Sequence, residues 1–512
     1  MIADRTAETR LLASIAEFSY HGDAGPALHG VEVAAAPGTL TAVLGGSGSG
    51  KSTLGRLLGA WLLAGRDGTL AGSLQLEVGG QPVSGRPLFF TGMPDDPRID
   101  PGAWARHVGY VPQEASSMLS AVRGTVEEEL AFTLENRGIP REHMVRTVAD
   151  VACRTGLEGL LQRDPATLSG GELRRLAVGC AVVDDPGILV LDEPLESLDQ
   201  AGIRTVVELV HAELARGAAV VVLSQHADAL TRAAEHWLVL KGGKVTASGP
   251  PARVLAGGAL AESGVVISSP SSEPADPAVT LLPLQAAAGT TAALELAGVT
   301  FGFGAGQTPS KDSLLLEEVD LQVMPGEVVA VTGPNGAGKS TLLRLLNGLY
   351  RPLRGDVRVA GGSIAGVPTG LVARRLGLLF QHPHDQLFER TLLREVLFGL
   401  DRIFGSSALE RAEAALAAVG LEGSGGTHPH ELPASGQRLL ALATVLAREP
   451  SVIALDEPTV ALDAHGLARL TAAVSAAAGR GAAVVMVTHD MAFARTHAHR
   501  MLRLDGGRLR PH

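Results

Sequence analysis

The chain has 512 residues and a net charge of -11, with 46% hydrophobic, 19% charged and 3% aromatic residues. This length exceeds what one hydrophobic core serves, which excludes a small stapled scaffold and gives roughly three domains as a first expectation. The composition is that of an Ala/Gly/Val/Leu-rich α/β protein, not a disordered or collagenous one, and the acidic balance excludes bulk electrostatic grip on nucleic acid.

The two cysteines, Cys153 and Cys180, show no disulfide framework and no metal-ligand spacing. They point to a reducing compartment and to structural roles as small apolar side chains. The opening MIADRTAETRLLASIAEF mixes charges where a signal peptide needs an unbroken apolar stretch. No run approaches the ~18 apolar residues of a membrane span, so a soluble, cytoplasmic chain is expected.

In chain order, the first strong element is TLTAVL at 39–44, apolar throughout as for a strand buried on both faces. It runs into Gly45-x4-Gly50-Lys51-Ser52, and the helical pattern TLGRLL follows, which is the setting of a phosphate loop. Here Gly45, Gly46, Ser47, Gly48, Ser49 and Gly50 let backbone N–H groups and the helix N-terminus, where Thr53 lies, face phosphate anions. Lys51 neutralises the outer phosphates and the Ser52 hydroxyl ligates magnesium. A Gly/Pro-rich stretch near 79–103 reads as a surface insertion. Further on come VGYVPQ at 108–113, LSGGE at 168–172 and ILVLDEP at 188–194. Asp192 and Glu193 thus close an apolar strand beside the phosphates, where an aspartate holds magnesium and the next glutamate polarises the attacking water. SLD at 197–199 and LSQHAD at 223–228, after the strand pattern AAVVVLS, complete the half.

The same order then returns, which marks an internal duplication. VVAVT leads into Gly333, Pro334, Asn335, Gly336, Ala337, Gly338, Lys339, Ser340 and Thr341, and LGLLFQ ends on Gln381. VIALDEP supplies Asp456 and Glu457, followed by ALD at 461–463 and His489 in VTHD. Gln113 stands about 60 residues after Lys51 but Gln381 only about 40 after Lys339, which places the insertion in the first half. The Ser/Pro/Ala/Gly-rich stretch 255–292 has no sustained period and reads as a flexible linker. Domains at 1–254 and 293–512 follow. Each half alternates β-branched runs with helical patterns, the mark of a sheet with crossover helices.

These motifs together resemble the ABC-type ATPases across nearly the whole chain. The resemblance implies an α/β fold of two P-loop ABC-type ATPase domains, each a mainly parallel sheet core with an antiparallel β subdomain and a helical subdomain. It implies a head-to-tail pseudo-dimer within one chain that binds and hydrolyses ATP with Mg2+. Each ATP is then sandwiched between the phosphate loop of one domain and the LSGGQ-type segment of the other, here Ser169, Gly170 and Gly171. Tyr20 and Phe303 would stack on adenine. Ser52, Asp192, Ser340 and Asp456 would hold Mg2+, while Gln113 and Gln381 couple the metal and γ-phosphate to the helical subdomain. His226 and His489 would contact the γ-phosphate, and Glu193 and Glu457 would serve as bases.

The second signature departs from this pattern. An ungapped register sets Pro433 against Ser169, and a one-residue slide puts Ala434 there instead; either way the serine hydroxyl is missing. Under the Pro433 register a backbone N–H is lost as well. By the head-to-tail rule the defect falls on ATP at Lys51, so a fast site at Lys339 with Glu457 and a slow or structural site at Lys51 with Glu193 are expected. A removed transition-state donor costs ~10² to 10³ in rate.

Two segments resemble the ATPases of energy-coupling factor (ECF) importers: QHPHDQLFERTLLREVLFGL from Gln381, and TVEEELAFTLENRGIPREHM from Thr125. The first half matches less well, with Glu114, Ala115, Ser116 and Ser117 after its glutamine. An amphipathic helix offering Leu387, Phe388, Leu392 and Leu393 to a membrane partner is expected. The resemblance implies a peripheral subunit on the cytoplasmic face of the cell membrane, with a membrane-embedded coupling protein and a substrate-capture protein as partners. The cargo would be a vitamin, vitamin precursor or transition-metal ion. The alternatives are a tandem ATPase of a sugar or other ABC importer, and a soluble ABC ATPase in translation or DNA maintenance.

Overall fold

The computed structural model describes residues 9–22, 25–93, 95–267, 291–303 and 314–512. The chain divides into two compact units, Met1–Ser268 and Ser269–His512, in place of the three domains that length alone suggests.

In the first unit the central sheet runs in the order Lys244–Gly249, His236–Lys241, Leu40–Leu44, Ala219–Ser224, Ile188–Asp192, Val108–Val111. All pairings are parallel except the edge hairpin of the first two strands. Read from the opposite edge, the second unit repeats this order with Leu376–Leu379, Val452–Asp456, Ala483–Val487, Val328–Thr332, Arg500–Asp505 and Arg508–Pro511. Leu40–Leu44 and Val328–Thr332 are buried at every position because both sheet faces are covered, which is why these runs are apolar without alternation.

One face of the first sheet packs on an antiparallel layer built around Thr9–Tyr20, Leu28–Ala35 and Gly68–Val78. The other face carries the helices Val126–Asn136, Arg141–Thr155 and Gly170–Val182. Thr125 caps the first of these by accepting from the Glu128 N–H, and Glu127, Glu128 and Glu129 suit the positive end of its dipole. The second unit has the same layers: Leu294–Gly302 pairs with Leu314–Val323 and Arg354–Val359, and Leu392–Leu397, Ala408–Ala418 and Ala434–Leu446 form the helical part.

Two expectations change. The 79–103 stretch is not only a surface loop: Leu88–Thr91 adds an antiparallel strand to Gly68–Val78 and buries Phe90 in the core. The start of the expected linker is folded. Ala259–Glu262 is helical, Leu260 and Val265 are buried, and Val266–Ile267 pairs in parallel with His226–Ala227. Residues 268–290 of that linker lie outside the described residues. Cys153 is exposed and Cys180 half-buried. A hydrogen bond to Glu158 raises the Cys153 thiol pKa and burial raises that of Cys180, so neither is activated.

Candidate functional site

In both units the sequence motifs meet at the carboxyl ends of the parallel strands, where ligands bind in open α/β sheets. Each phosphate loop follows a central strand and opens a helix, Lys51–Leu58 or Lys339–Leu346. The residue before each helix, Gly50 or Gly338, is left-handed at φ 99 and 96, a conformation natural to glycine. Gly333 is held by close approach, since a Cβ there would lie 2.2 Å from the Leu504 carbonyl oxygen.

Lys51 Nζ lies over its own loop, donating to the Gly45 and Gly46 carbonyls at 2.7 and 2.9 Å. Lys339 Nζ does the same to Gly333 and Pro334, both at 2.9 Å. Asp192 and Asp456 are buried with raised pKa values, burial being the main cause. The Ser52 hydroxyl and Lys51 oppose that rise at Asp192, as Ser340, Arg344 and Lys339 do at Asp456. Both Asp192 carboxylate oxygens and Asp456 Oδ1 are buried, with the Ser52 and Ser340 hydroxyls as their polar neighbours. A hard cation needs such oxygen ligands, so Ser52 with Asp192 and Ser340 with Asp456 fit magnesium bound together with phosphate oxygens.

The glutamates that follow are also buried, in backbone held left-handed at φ 50 for Glu193 and 47 for Glu457. Burial pushes the Glu457 carboxyl up to about 7, with Lys339 and the His489 N–H opposing. Glu193 is pushed up to about 8, again chiefly by burial, with Glu196 and Asp192 adding to the rise. A carboxylate near pH 7 suits a general base.

The histidines are not equivalent, since His226 does not stand at the register position of His489. Strand register sets Asp192 opposite Leu223 and Asp456 opposite Val487. Counting on from these partners, Ser224 matches Thr488 and Gln225 matches His489. The Gln225 N–H donates to Glu193 Oε1 at 2.8 Å, and the His489 N–H to Glu457 Oε2 at 3.1 Å. The His489 ring also reaches Glu457, with Nε2 3.2 Å from Oε1. His226 is one residue too late: it pairs with Val266 in a short parallel ladder, so Gln225 takes the place expected for it. The signal was visible in spacing, since His226 lies 34 residues after Asp192 but His489 only 33 after Asp456.

Other first-unit features have no counterpart in the second. Gln113 Nε2 donates to Glu196 Oε2 at 3.5 Å, whereas Val460 occupies the position of Glu196 in the second repeat. The Gly46 N–H donates to the Ser263 carbonyl at 2.6 Å and the Val266 N–H to the Gln225 carbonyl at 2.8 Å, so the end of the first unit ties both its phosphate loop and its Gln225. Pro334, which has no N–H, stands where Gly46 stands.

The signatures also differ. Ser169 caps Gly170–Val182 in a reciprocal box with Glu172, leaving Gly170 and Gly171 in the first turn. Pro433 stands at the same N-cap position of Ala434–Leu446 and makes no side-chain cap, which selects the ungapped register. Tyr20 is partly buried, its hydroxyl 3.0 Å from Thr53 Oγ1. Phe303 is 56% exposed, with edge contacts to Phe301 and Tyr350. Of the four residues expected on an amphipathic face, Leu387 and Leu392 are buried in the core and Leu393 packs against it. Phe388 is 64% exposed and meets Phe398, which the sequence reading missed. Arg174 and Arg438, also missed, are buried in the helices that follow the signatures.

Comparison with known proteins agrees with this geometry. A family model described as ABC transporter matches residues 28–196 and 316–460. A relative in Methanosarcina acetivorans, named as an ABC transporter ATP-binding protein, is 30% identical over 509 residues, covering 97% of this chain and 89% of its own. In Bacillus subtilis, YkoD, named as an HMP/thiamine import ATP-binding protein, is 28% identical, covering 95% of this chain and 88% of its own. A chain in a model of ribosome-bound archaeal Pelota and ABCE1 is 19% identical with a TM-score of 0.66, covering 99% of this chain and 78% of that one, a likeness of fold alone. The chain therefore belongs to the ABC transporter family, as a tandem ATP-binding protein that binds ATP with Mg2+ and hydrolyses it.

Proposed function

We propose that this chain is the energy-coupling ATPase of an ECF-type importer, with the Lys339 site turning over and the Lys51 site holding ATP slowly. The observation that carries the inequality is Gln225 in the place of His489. In the second unit an imidazole and a carboxylate lie in contact, so Glu457 can take a proton from water while His489 faces the γ-phosphate oxygens. At the first site Gln225 holds that register position, and a glutamine amide cannot exchange a proton near neutral pH. Ser340 and Asp456 would hold magnesium, which would supply charge neutralisation at the phosphates. Lys339 and the loop N–H groups orient those phosphates, and Gln381 links them to the helical layer.

The two signatures are unequal as well: the first keeps Ser169, Gly170 and Gly171, whereas Pro433 in the second has neither hydroxyl nor N–H. Turnover of Glu457→Gln against Glu193→Gln tests this reading: a near-complete loss in the first and a small one in the second is expected, and equal losses would refute it.

The import role is supported by the Gln381-His382-Pro383-His384-Asp385-Gln386 segment and the aromatic pair beside it. Phe388 and Phe398 flank a groove of 220 Å³ whose lining includes Phe380, Gln386, Glu395 and Arg448, room for an apolar side chain presented by a membrane-embedded coupling protein. The import assignment in the name of YkoD points the same way. Among the described residues no helix is long and apolar enough to cross a membrane. A vitamin, vitamin precursor or transition-metal ion is the proposed cargo, captured by a further protein, with this chain on the cytoplasmic face. Pull-down from detergent-solubilised membranes is expected to recover membrane proteins, and loss of that capture in Phe388→Ser/Phe398→Ser ties it to the groove. Co-sedimentation with ribosomes independent of membranes would instead favour a role in translation.

A further inference from the structure

The buried guanidinium of Arg438 lies between three parts of the second site. It sits on Ala434–Leu446, just past the signature position, and is 4% exposed. Its Nη2 donates to the Gln381 backbone carbonyl at 2.6 Å and its Nη1 to the Glu457 carbonyl at 2.8 Å. Glu457 is thereby held at three points: its N–H donates to Val487 at 2.9 Å, its carboxylate accepts from His489, and its carbonyl accepts from Arg438. A planar fork that satisfies two carbonyls at once fixes their separation, which a flexible ammonium does not.

The first unit uses the equivalent arginine differently. Arg174 donates to the carbonyls of Pro112 and Gln113, both in the coupling loop, and its Nη2 lies 3.9 Å from Glu196 Oε2. Among the described residues its guanidinium bonds the coupling loop and Glu196, not the Glu193 carbonyl. Glu196 supplies a carboxylate where the second unit has Val460, and with Val460 there the Arg438 fork lies against the base's own backbone.

We propose that Arg438 is a positioning residue that joins the coupling glutamine and the signature helix to the backbone of Glu457. Displacement of the helical layer then moves the base relative to the γ-phosphate, and the Lys51 site has no such direct link. The inference rests on Glu457 being the base of the hydrolysing site.

The test measures steady-state ATP turnover of the full chain, with ATP affinity and thermal melting recorded for each variant. Arg438→Met is expected to lower kcat at least tenfold with KM within twofold, Arg438→Lys to recover only part of that loss, and Arg174→Met to lose less than threefold. A kcat within threefold of the parent in Arg438→Met, or an equal loss in Arg174→Met, overturns the proposal. Should Arg438→Met fail to fold, Val460→Glu keeps the guanidinium and offers it the carboxylate that Arg174 has. A several-fold fall in kcat at unchanged KM supports the link, and a parental rate overturns it. Glu457→Gln is run beside them: if it retains turnover, the base assignment fails and the proposal with it, whereas its loss beside an unaffected Arg438→Met removes the positioning role alone.

Discussion

The backbone N–H of Gln225 lies 2.8 Å from Glu193 Oε1, in the position from which His489 donates to Glu457 at 3.1 Å. The two carboxylates therefore share a backbone cradle and a hydroxyl neighbour, Ser224 or Thr488, while Glu457 also meets the His489 imidazole. His489→Gln copies the first site into the second and is expected to lower kcat by about 10² with ATP affinity within threefold, the scale of a lost acid-base partner. Gln225→His alone is expected to leave turnover unchanged. Steady-state ATPase assays of both variants check this.

The base assignments separate in the same assay. Glu457→Gln is expected to lower turnover by about 10² to 10³, while Glu193→Gln changes it by less than about threefold. Single-turnover measurements with labelled ATP check that the nucleotide remaining on Glu457→Gln is unhydrolysed.

The pH dependence follows from the pKa of Glu457, pushed up to about 7 by burial. The base works as the carboxylate, so kcat/KM rises with pH through a limb near 7 and levels off above it. If Glu193, pushed up to about 8, carried turnover, the limb would lie one unit higher. The profile is expected to be unchanged in Glu193→Gln.

The same shift predicts a stability effect. The folded-state pKa of Glu193 lies above its unfolded value, so burial favours the protonated form. Its contribution is complete below about pH 4 and is lost as pH rises through about 8. Glu193→Gln keeps the neutral form at every pH. Its melting temperature is expected to exceed that of the parent at pH 8.5, with the gap closing toward pH 5.5, as scanning calorimetry of the nucleotide-free chain would show.

Phe303 offers an exposed ring next to Phe301 and Tyr350, whereas the Tyr20 hydroxyl is tied to Thr53. Phe303→Ala is expected to weaken ATP binding about tenfold at the second site, within the ~1 to 3 kcal/mol of a lost base-stacking contact. Titration with a fluorescent ATP analogue in Glu457→Gln, which retains the nucleotide, measures it.

Much of this molecule was legible in the residues alone. The phosphate loops, the Asp-Glu strand ends and the duplication are readable because each is short in sequence, and the strands that carry them are apolar at every position. The site geometry of Lys51, Lys339, Asp192, Asp456, Glu193 and Glu457 follows from those local patterns plus a parallel sheet. What tertiary structure decided is non-local. The one-residue difference in spacing shows that the two histidines are out of step, but the pairing of Asp192 with Leu223 places the Gln225 N–H against Glu193. The N-cap at Pro433 selects the signature register, because helix start and not letter matching sets the alignment. Leu387 and Leu392 face inward while Phe388 and Phe398 face out, since packing of the helical layer chooses the buried stripe. Arg438 bonds carbonyls 57 and 19 positions away, and only the folded chain brings a guanidinium, a coupling loop and a base within reach of one another.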